Sequence, residues 1–295
     1  MTGAHAAPGR VPFGARLGAA MSAHGPLCVG IDPHAALLSD WGLTDDVAGL
    51  RRFALTVLEA VAGRVAAVKP QAAFFERHGS GGVAVLEEVV AAGRDTGTLV
   101  VVDAKRGDIG STMGGYADAY LRDGSPLAGD ALTVSPYLGF GSLAPAVEAA
   151  RATGRGLFVL ALTSNPEGAA VQHARDADGV AVAARIAAEA AALNSVEVTD
   201  AAAGTLGSVG LVVGATIGDA ARRLGVDLAS VRGPLLAPGV GAQGAGPAEL
   251  ADVFGAARSA VLASSSRGVL AAGPDVGALR DAARRAADAA GDALR

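Results

Sequence analysis

The sequence contains very little lysine and very little cysteine. Of its 24 lysines and arginines, only Lys69 and Lys105 are lysines. The single cysteine, Cys28, excludes a disulfide framework within one chain, and its apolar surroundings predict a small core residue. Lysine, unlike arginine, is a compact ammonium group that can release its proton. Two isolated lysines in an arginine-rich chain therefore indicate positions where a proton donor is needed.

Aromatic residues and clustered positive charge are also scarce. Aromatics make up 4% of the chain, the net charge is −5, and the arginines are scattered. A nucleic-acid partner is not expected, because base stacking and phosphate binding need both features.

Long apolar segments are missing as well. No leader is expected, because Arg16 interrupts the first apolar stretch. The uncharged run Ala201–Gly218 contains five glycines, which predict a helix end, a turn and a strand rather than a membrane span. We therefore expect a cytoplasmic protein without a membrane partner.

Apolar residues, by contrast, are abundant: they form 51% of 295 residues, enough for a large core. Short runs rich in Val, Leu and Ile are continuous rather than alternating, which is typical of parallel strands covered on both faces. Alanine-rich segments with helical periodicity lie between them. The predicted strands are Leu27–Ile31, Val65–Val68, Thr98–Val102, Ala131–Val134, Leu157–Leu162, Val209–Val213, Pro234–Ala237 and Ala260–Ala263.

Eight such units predict an α/β protein with a (β/α)8 TIM-barrel fold. We expect a single domain over residues 1–295, with the barrel proper at about 27–280, an N-terminal helical extension and a long insertion after strand 5. A doubly wound open sheet is the alternative. The barrel makes a further prediction, since functional side chains collect at the C-terminal ends of its strands.

Charged and polar residues do follow the predicted strands. They are Asp32 after the first, Lys69 after the second, Asp103, Lys105 and Asp108 after the third, Thr163, Ser164 and Asn165 after the fifth, Gly239–Gly244 after the seventh and Arg267 after the eighth. Both lysines of the chain thus lie at the ends of adjacent strands.

The spacing predicts an ion-paired cluster. Asp103 and Lys105 are two residues apart and share a face of the strand, while Lys69 on the neighbouring strand can lie beside Asp103. Asp108 falls in the loop beyond the strand. Buried charges are tolerated when they are paired, so a purely structural salt-bridge network is an alternative to a catalytic array.

The glycine-rich segment Gly239–Gly244 matches G-x-G-x-x-G, but no acidic residue follows at the distance that a dinucleotide site requires. A phosphate cradle completed by Gln243 and Arg267 fits better. The five histidines have no paired spacing, so no metal site is predicted.

These residues together resemble the orotidine 5′-phosphate decarboxylase family. The segment Asp103-Ala104-Lys105-Arg106-Gly107-Asp108-Ile109 matches the motif D-x-K-x-x-D-I, and its extended form "DAKRGDIGST" is similar to the longer bacterial branch. "AVKPQ", "TSNP", "PGVGAQG" and "SRG" follow in the expected order. One departure is the segment from Pro166 to about Ala203, which is longer than the compact family pattern.

The resemblance implies roles for these positions. Lys69, Asp103 and Lys105 would face the reacting carbon, and Asp108 would complete the array from the partner of a homodimer. The remaining implied substrate-binding residues are Asp32 for the ribose together with Lys69, Ile109 and Thr112 from the partner subunit, Ser164 for the pyrimidine, Gln243 and Arg267 for the phosphate, and Pro238, Gly244 and Ser266.

The implied reaction is decarboxylation of orotidine 5′-phosphate to UMP without a metal or organic cofactor. Lys105 would stabilise the carbanion at C6 of the pyrimidine and then protonate it. Two alternatives remain at this point. One is a Mg²⁺-dependent sugar-phosphate decarboxylase or aldolase, which would carry an acid in place of Lys69. The other is a barrel that only binds a nucleotide or phosphate as a sensor.

Overall fold

A computed structural model describes residues 10–202, 204–240 and 245–295 of the chain. Within these residues eight parallel strands form a closed barrel in which each strand pairs with the next and β8 pairs with β1. The strands are β1 Leu27–Ile31, β2 Ala67–Pro70, β3 Leu99–Arg106, β4 Ala131–Val134, β5 Gly156–Leu162, β6 Val209–Val213, β7 Leu235–Pro238 and β8 Val261–Ser265. The predicted (β/α)8 fold is confirmed, and the open sheet is wrong because β8 returns to β1.

Helices surround the barrel and alternate with its strands. They are α1 Phe13–His24, α2 Ala35–Asp40, α3 Val47–Val61, α4 Ala72–Glu76, α5 Gly79–Asp95, α6 Gly110–Leu121, α7 Ala144–Thr153, α8 Ala169–Gln172, α9 Val182–Glu197, α10 Ala220–Leu224, α11 Pro247–Phe254, α12 Arg267–Leu270 and α13 Val276–Leu294, with 3₁₀ turns at Phe140–Leu143, Pro166–Gly168 and Gly255–Ala260. Aspartates cap two of the longer helices: Asp46 accepts the Gly49 N–H before α3, and Asp275 accepts the Ala278 N–H before α13.

Two strand boundaries differ from the predictions in a way that matters for the site. β2 ends at Pro70 rather than Val68, and β3 continues to Arg106 rather than ending at Val102. Lys69, Asp103 and Lys105 are therefore strand residues. The hydrophobic pattern places the boundaries too early because paired charges can extend a strand into the mouth of a barrel.

The barrel interior is filled by a second core, separate from the layer between strands and helices. Alternate strand residues face inward, and these include Cys28, Val101 and Phe158. Helix α1, the predicted N-terminal extension, closes the floor of the barrel with Phe13 and Leu17, which are fully buried. The rings of Phe13 and Phe158 meet edge to face with centroids 5.9 Å apart.

The predicted long insertion separates β5 from β6 and contains α8 and α9. Asn194 of α9 is fully buried; its amide donates to the carbonyls of Val209 and Val231 and accepts the Val209 N–H. The insertion thus fixes the start of β6. Of the helix end, turn and strand predicted within Ala201–Gly218, the strand is present as β6, but the helix end is wrong because α9 already ends at Glu197. Within the described ranges, no helix has the length and apolar character needed to cross a membrane.

Candidate active site

The candidate site begins where the inward-facing residues of β2 and β3 change from apolar to charged. Lys69 follows the inward-facing Ala67 by two residues, and Asp103 follows the inward-facing Val101 by two residues. Both charged side chains therefore stand on the apolar interior at the C-terminal end of the barrel. Their side chains are 7% and 8% exposed.

Asp103 is the centre of a hydrogen-bond network. Its Oδ2 lies 2.8 Å from Lys69 Nζ, and its Oδ1 lies 2.6 Å from Lys105 Nζ. Oδ1 also accepts the hydroxyl proton of Thr133 over 2.8 Å. Both carboxylate oxygens are thus engaged by donors, which is the condition for a stable buried charge.

Asp32 extends this network at the end of β1. Its Oδ1 lies 4.0 Å from Lys69 Nζ, and among the described residues this oxygen is buried without a hydrogen-bond partner. Asp32, Lys69, Asp103 and Lys105 therefore alternate in charge, and we call these four residues the charged array. An unpartnered carboxylate oxygen at its edge can accept a hydroxyl group from a ligand.

The array fixes the protonation of its buried members. Burial acts to raise the pKa of Asp103, but the ammonium groups of Lys69 and Lys105 outweigh it and hold that pKa at about 2. Burial acts to lower the pKa of Lys69, and Asp103 and Asp32 reverse this and raise it. Burial raises the pKa of the Cys28 thiol to about 12, so the side chain is neutral. At neutral pH the array therefore contains a carboxylate held between two ammonium groups.

Lys105 differs from Lys69 in its exposure and its backbone. Its side chain is 44% exposed, so the ammonium group faces the mouth of the barrel while remaining bonded to Asp103. Its φ is +48°, in the left-handed region that residues other than glycine seldom adopt. The β3–β4 register also shifts between Val102 and Arg106. The predicted meeting of Asp103 and Lys105 thus occurs on a bent, irregular strand end.

Among the described residues, Asp108, Ile109 and Thr112 make no hydrogen bond or ion pair with the array of their own chain. Asp108 follows the end of β3, as the spacing predicts, and its Oδ1 accepts the N–H of Ile109 over 2.8 Å. Within the described residues no ion pair within 4.0 Å joins Asp108 to Lys105. Ile109 is 61% exposed, and Thr112 is exposed in the first turn of α6. Two further large side chains, Tyr137 and Leu138, are also exposed; they follow the end of the next strand, β4.

Of the two predicted ligands from the ends of β7 and β8, Ser266 lies beside Asp32. Gly30 faces Ser266 so closely that a Cβ there would overlap Ser266 Oγ and come within 3.1 Å of Asp32 Oδ2. Ser266 is therefore brought to the edge of the array only because residue 30 has no side chain. Pro238, at the end of β7, pairs in register with Ser264 of β8.

Two further predicted ligands, Ser164 and Arg267, make no hydrogen bond or ion pair with the array among the described residues. Ser164 is exposed after β5, and Arg267 is exposed at the first residue of α12. Gln243 and Gly244, together with the rest of 241–244, lie outside the described residues. Gly239 has a φ of +91°, which a glycine accommodates without strain.

Two residues of the site, Thr133 and Gln71, were not predicted from the sequence. Thr133 bonds Asp103, and its Oγ1 accepts the backbone N–H of Lys105 over 2.9 Å. Gln71 donates from Nε2 to the Asp103 carbonyl over 3.2 Å and accepts from Lys105 Nζ over 3.4 Å. Gln71 could have been found, because it lies two residues after Lys69 on the same inward column. Thr133 gives no such indication, since a threonine within an apolar strand is ordinary.

The arrangement can place a fixed positive group next to a developing negative charge. Lys105 supplies an exposed ammonium, and Asp103 holds it in place from below. Preorganised charge of this kind stabilises a transition state without reorganisation during the reaction. Within the described residues, no group of three or more His, Cys, Asp or Glu side chains is arranged to hold a metal ion.

Comparison with known proteins gives a consistent family assignment. The profile described as "Orotidine 5′-phosphate decarboxylase / HUMPS family" matches residues 25–282. A curated orotidine 5′-phosphate decarboxylase from Streptomyces coelicolor is 63% identical over 274 residues, which cover 93% of this chain and 95% of the relative.

Two solved structures extend the likeness to the fold. A crystal structure from Streptomyces avermitilis, assigned to orotidine 5′-phosphate decarboxylase, has a TM-score of 0.89 and 63% identity over 96% of each chain. Leishmania donovani OMP decarboxylase has a TM-score of 0.73 and 31% identity, over 96% of this chain and 99% of that one.

Proposed function

The chain belongs to the orotidine 5′-phosphate decarboxylase / HUMPS family, and on that premise we propose how its own residues perform the reaction. The chain is a carboxy-lyase that converts orotidine 5′-phosphate to UMP and CO₂ in pyrimidine biosynthesis. The observation that carries the mechanism is the charged array, with its exposed end at Lys105.

In the proposed chemical step, the bond between C6 of the pyrimidine and its carboxylate breaks, and CO₂ leaves. The electron pair remains on C6, next to the ammonium of Lys105, which stabilises it and then transfers a proton to it. The amine regains its proton from water. Asp103 supports this role by holding Nζ of Lys105 at 2.6 Å, so that the positive charge is in place before it is needed.

The remaining site residues bind the substrate away from the reacting carbon. Asp32 and Lys69 hold the ribose hydroxyls, and the unpartnered Oδ1 of Asp32 supports this. Ser164 binds the pyrimidine, Pro238, Gly244 and Ser266 line the pocket, and Gln243 with Arg267 bind the phosphate. Binding energy from the phosphate is then used to position the ring.

The site is completed by a second copy of the chain in a homodimer. Asp108, Ile109 and Thr112 contribute to the partner's site, which agrees with the lack of an ion pair between Asp108 and Lys105 among the described residues and with the exposure of Ile109. Mixing two inactive variants tests this. When K105A and D108A chains are exchanged at equal amounts, about half of the dimers are hybrids with one complete site each, so the mixture should regain about a quarter of wild-type activity. No recovery would contradict the shared site.

The central test is the variant K105A. Incubation with orotidine 5′-phosphate and measurement of pyrimidine absorbance should show turnover in the wild type and none in K105A, while UMP binding by calorimetry is retained. R51A, a change at an exposed ion pair with Glu88, is the matched control and should keep full activity. Near-normal turnover by K105A would refute the mechanism.

No metal or organic cofactor takes part in the proposed reaction. The Mg²⁺-dependent alternative requires an acid where this chain has Lys69, and the ammonium of Lys69 already neutralises Asp103 at 2.8 Å. Activity should be unchanged in EDTA. Loss of activity in EDTA that Mg²⁺ restores would favour the alternative.

A further inference from the structure

The side chain of Thr133 contacts both Asp103 and the backbone of Lys105, and the proposed reaction depends on the relative position of these two residues. Thr133 lies on β4, 1% exposed, with its hydroxyl between β3 and the barrel interior. The hydroxyl donates its proton to Asp103 Oδ1 over 2.8 Å and accepts the backbone N–H of Lys105 over 2.9 Å. One buried hydroxyl thus contacts a carboxylate of the array and the main chain of the lysine beside it.

The main chain needs this contact because it is irregular at that point. Lys105 has φ of +48°, and the β3–β4 register shifts between Val102 and Arg106. The N–H of Lys105 therefore bonds to the Thr133 hydroxyl in place of a carbonyl of the neighbouring strand. Regular pairing resumes at Arg106, whose carbonyl accepts the Ser135 N–H over 2.8 Å. A disfavoured backbone conformation persists when its surroundings fix it from both sides.

We propose that Thr133 is a positioning residue for decarboxylation, which fixes the ammonium of Lys105 through its backbone and through Asp103. This inference rests on the proposed function. Thr133 does not contact the reacting atoms itself. Without the hydroxyl, Asp103 loses one of its donors and the Lys105 N–H loses its acceptor, so the two groups can move independently.

The test compares variants that keep or remove the hydroxyl. T133V replaces the hydroxyl by a methyl group and keeps the shape of the side chain. T133A removes both the hydroxyl and the methyl group, and T133S keeps the hydroxyl. Because misplacement of a catalytic group by about 1 Å can cost about 100-fold in rate, we expect kcat of T133V and T133A to fall by at least ~10-fold, with KM within ~3-fold of wild type. T133S should stay within ~3-fold in both parameters, since it retains both hydrogen bonds.

Thr98 provides a matched control at the opposite end of the barrel. It is also buried, and its hydroxyl accepts the backbone N–H of Gly63 over 2.8 Å. T98V therefore removes a comparable hydrogen bond and should lower the denaturation midpoint as T133V does, while kcat stays unchanged. A kcat loss in T98V equal to that in T133V would show that lost stability alone explains both, and would overturn the proposal.

A measurement independent of activity separates this inference from the proposed function. Amide hydrogen exchange at Lys105, followed by NMR, should be at least ~10-fold faster in T133V than in wild type and close to wild type in T133S, because exchange requires an opened hydrogen bond. Unchanged exchange, or full kcat in T133V, would overturn the positioning role. A wild-type chain that does not decarboxylate orotidine 5′-phosphate would overturn the proposed function, while the exchange rates would still report the contact.

Discussion

Replacement of Lys69 by methionine tests the electrostatics of the array most directly. Lys69 Nζ lies 2.8 Å from Asp103 and 4.0 Å from Asp32, and its side chain is 7% exposed. Methionine keeps much of the apolar stem but removes the charge. Asp103 then keeps only the ammonium of Lys105, which is 44% exposed, and Asp32 loses the ammonium nearest to it.

The expected loss of stability is large for a single substitution. Removing one partner of a buried ion pair costs about 3–5 kcal/mol, because the remaining charge is left without compensation. An exposed pair, by comparison, contributes about 0–1 kcal/mol. R51M is the matched control, since Arg51 and Glu88 are 55% and 43% exposed at a similar distance of 2.7 Å.

The pH dependence of this loss follows from the pKa of Asp103. In the wild type that pKa is about 2, below its ordinary value of 3.8, so the contribution to stability is present above 3.8 and is lost as pH falls toward 2. In K69M burial is opposed by Lys105 alone, which raises the pKa of Asp103 relative to wild type. In mildly acidic solution Asp103 of folded K69M then takes up a proton, which removes its uncompensated buried charge. The difference in unfolding free energy between K69M and wild type should therefore become smaller.

Urea unfolding at pH 7 and pH 4.5 measures both effects. K69M should be less stable than wild type by about 3–5 kcal/mol at pH 7 and by clearly less at pH 4.5, whereas the R51M deficit should stay below about 1 kcal/mol at both. Decarboxylase activity of K69M should be lost as well. A K69M deficit under about 1 kcal/mol, or one that does not change with pH, would refute the electrostatic reasoning.

Three further predictions separate stability from activity. F13A should destabilise the protein by about 3–5 kcal/mol in urea unfolding, because it empties the floor of the barrel, while kcat stays at the wild-type value; a large kcat loss would contradict this. G30A should raise KM for orotidine 5′-phosphate by about 10-fold, since its Cβ displaces Ser266 and crowds Asp32, and it should cost about 1–3 kcal/mol; an unchanged KM would argue against a substrate contact there. N194A should cost roughly 3 kcal/mol or more with unchanged kcat, because it leaves buried backbone groups at the start of β6 without partners; a calorimetric midpoint equal to wild type would refute it.

The fold could be predicted because burial on both faces leaves a clear pattern in sequence. Three strands, including Leu27–Ile31 and Val209–Val213, have the predicted boundaries. The end of β3 could not be predicted from hydrophobicity. Asp103 and Lys105 continue the strand only because partners from β2 and β4 neutralise and bond them, and those partners are distant in sequence.

The charged array itself was predictable because lysine is so rare in this chain that its two positions stand out. Its supporting residues were not. Thr133 has the composition of an ordinary β-branched strand residue, and its role depends on a register shift that no local pattern encodes. The N-terminal extension could be predicted as a helix, but the closure of the barrel floor by Phe13 depends on the packing of α1 against β5.

The left-handed backbone at Lys105 has a consequence for how this sequence can change. Glycine or asparagine would suit that conformation better, since a larger side chain there costs roughly 1–2 kcal/mol. Replacement of the lysine would relieve this backbone cost but would also remove the ammonium that lies 2.6 Å from the buried Asp103 carboxylate, so the two effects on stability oppose each other. A strained conformation is thus kept at position 105 because the same residue neutralises its neighbour and, in the proposed reaction, supplies the proton.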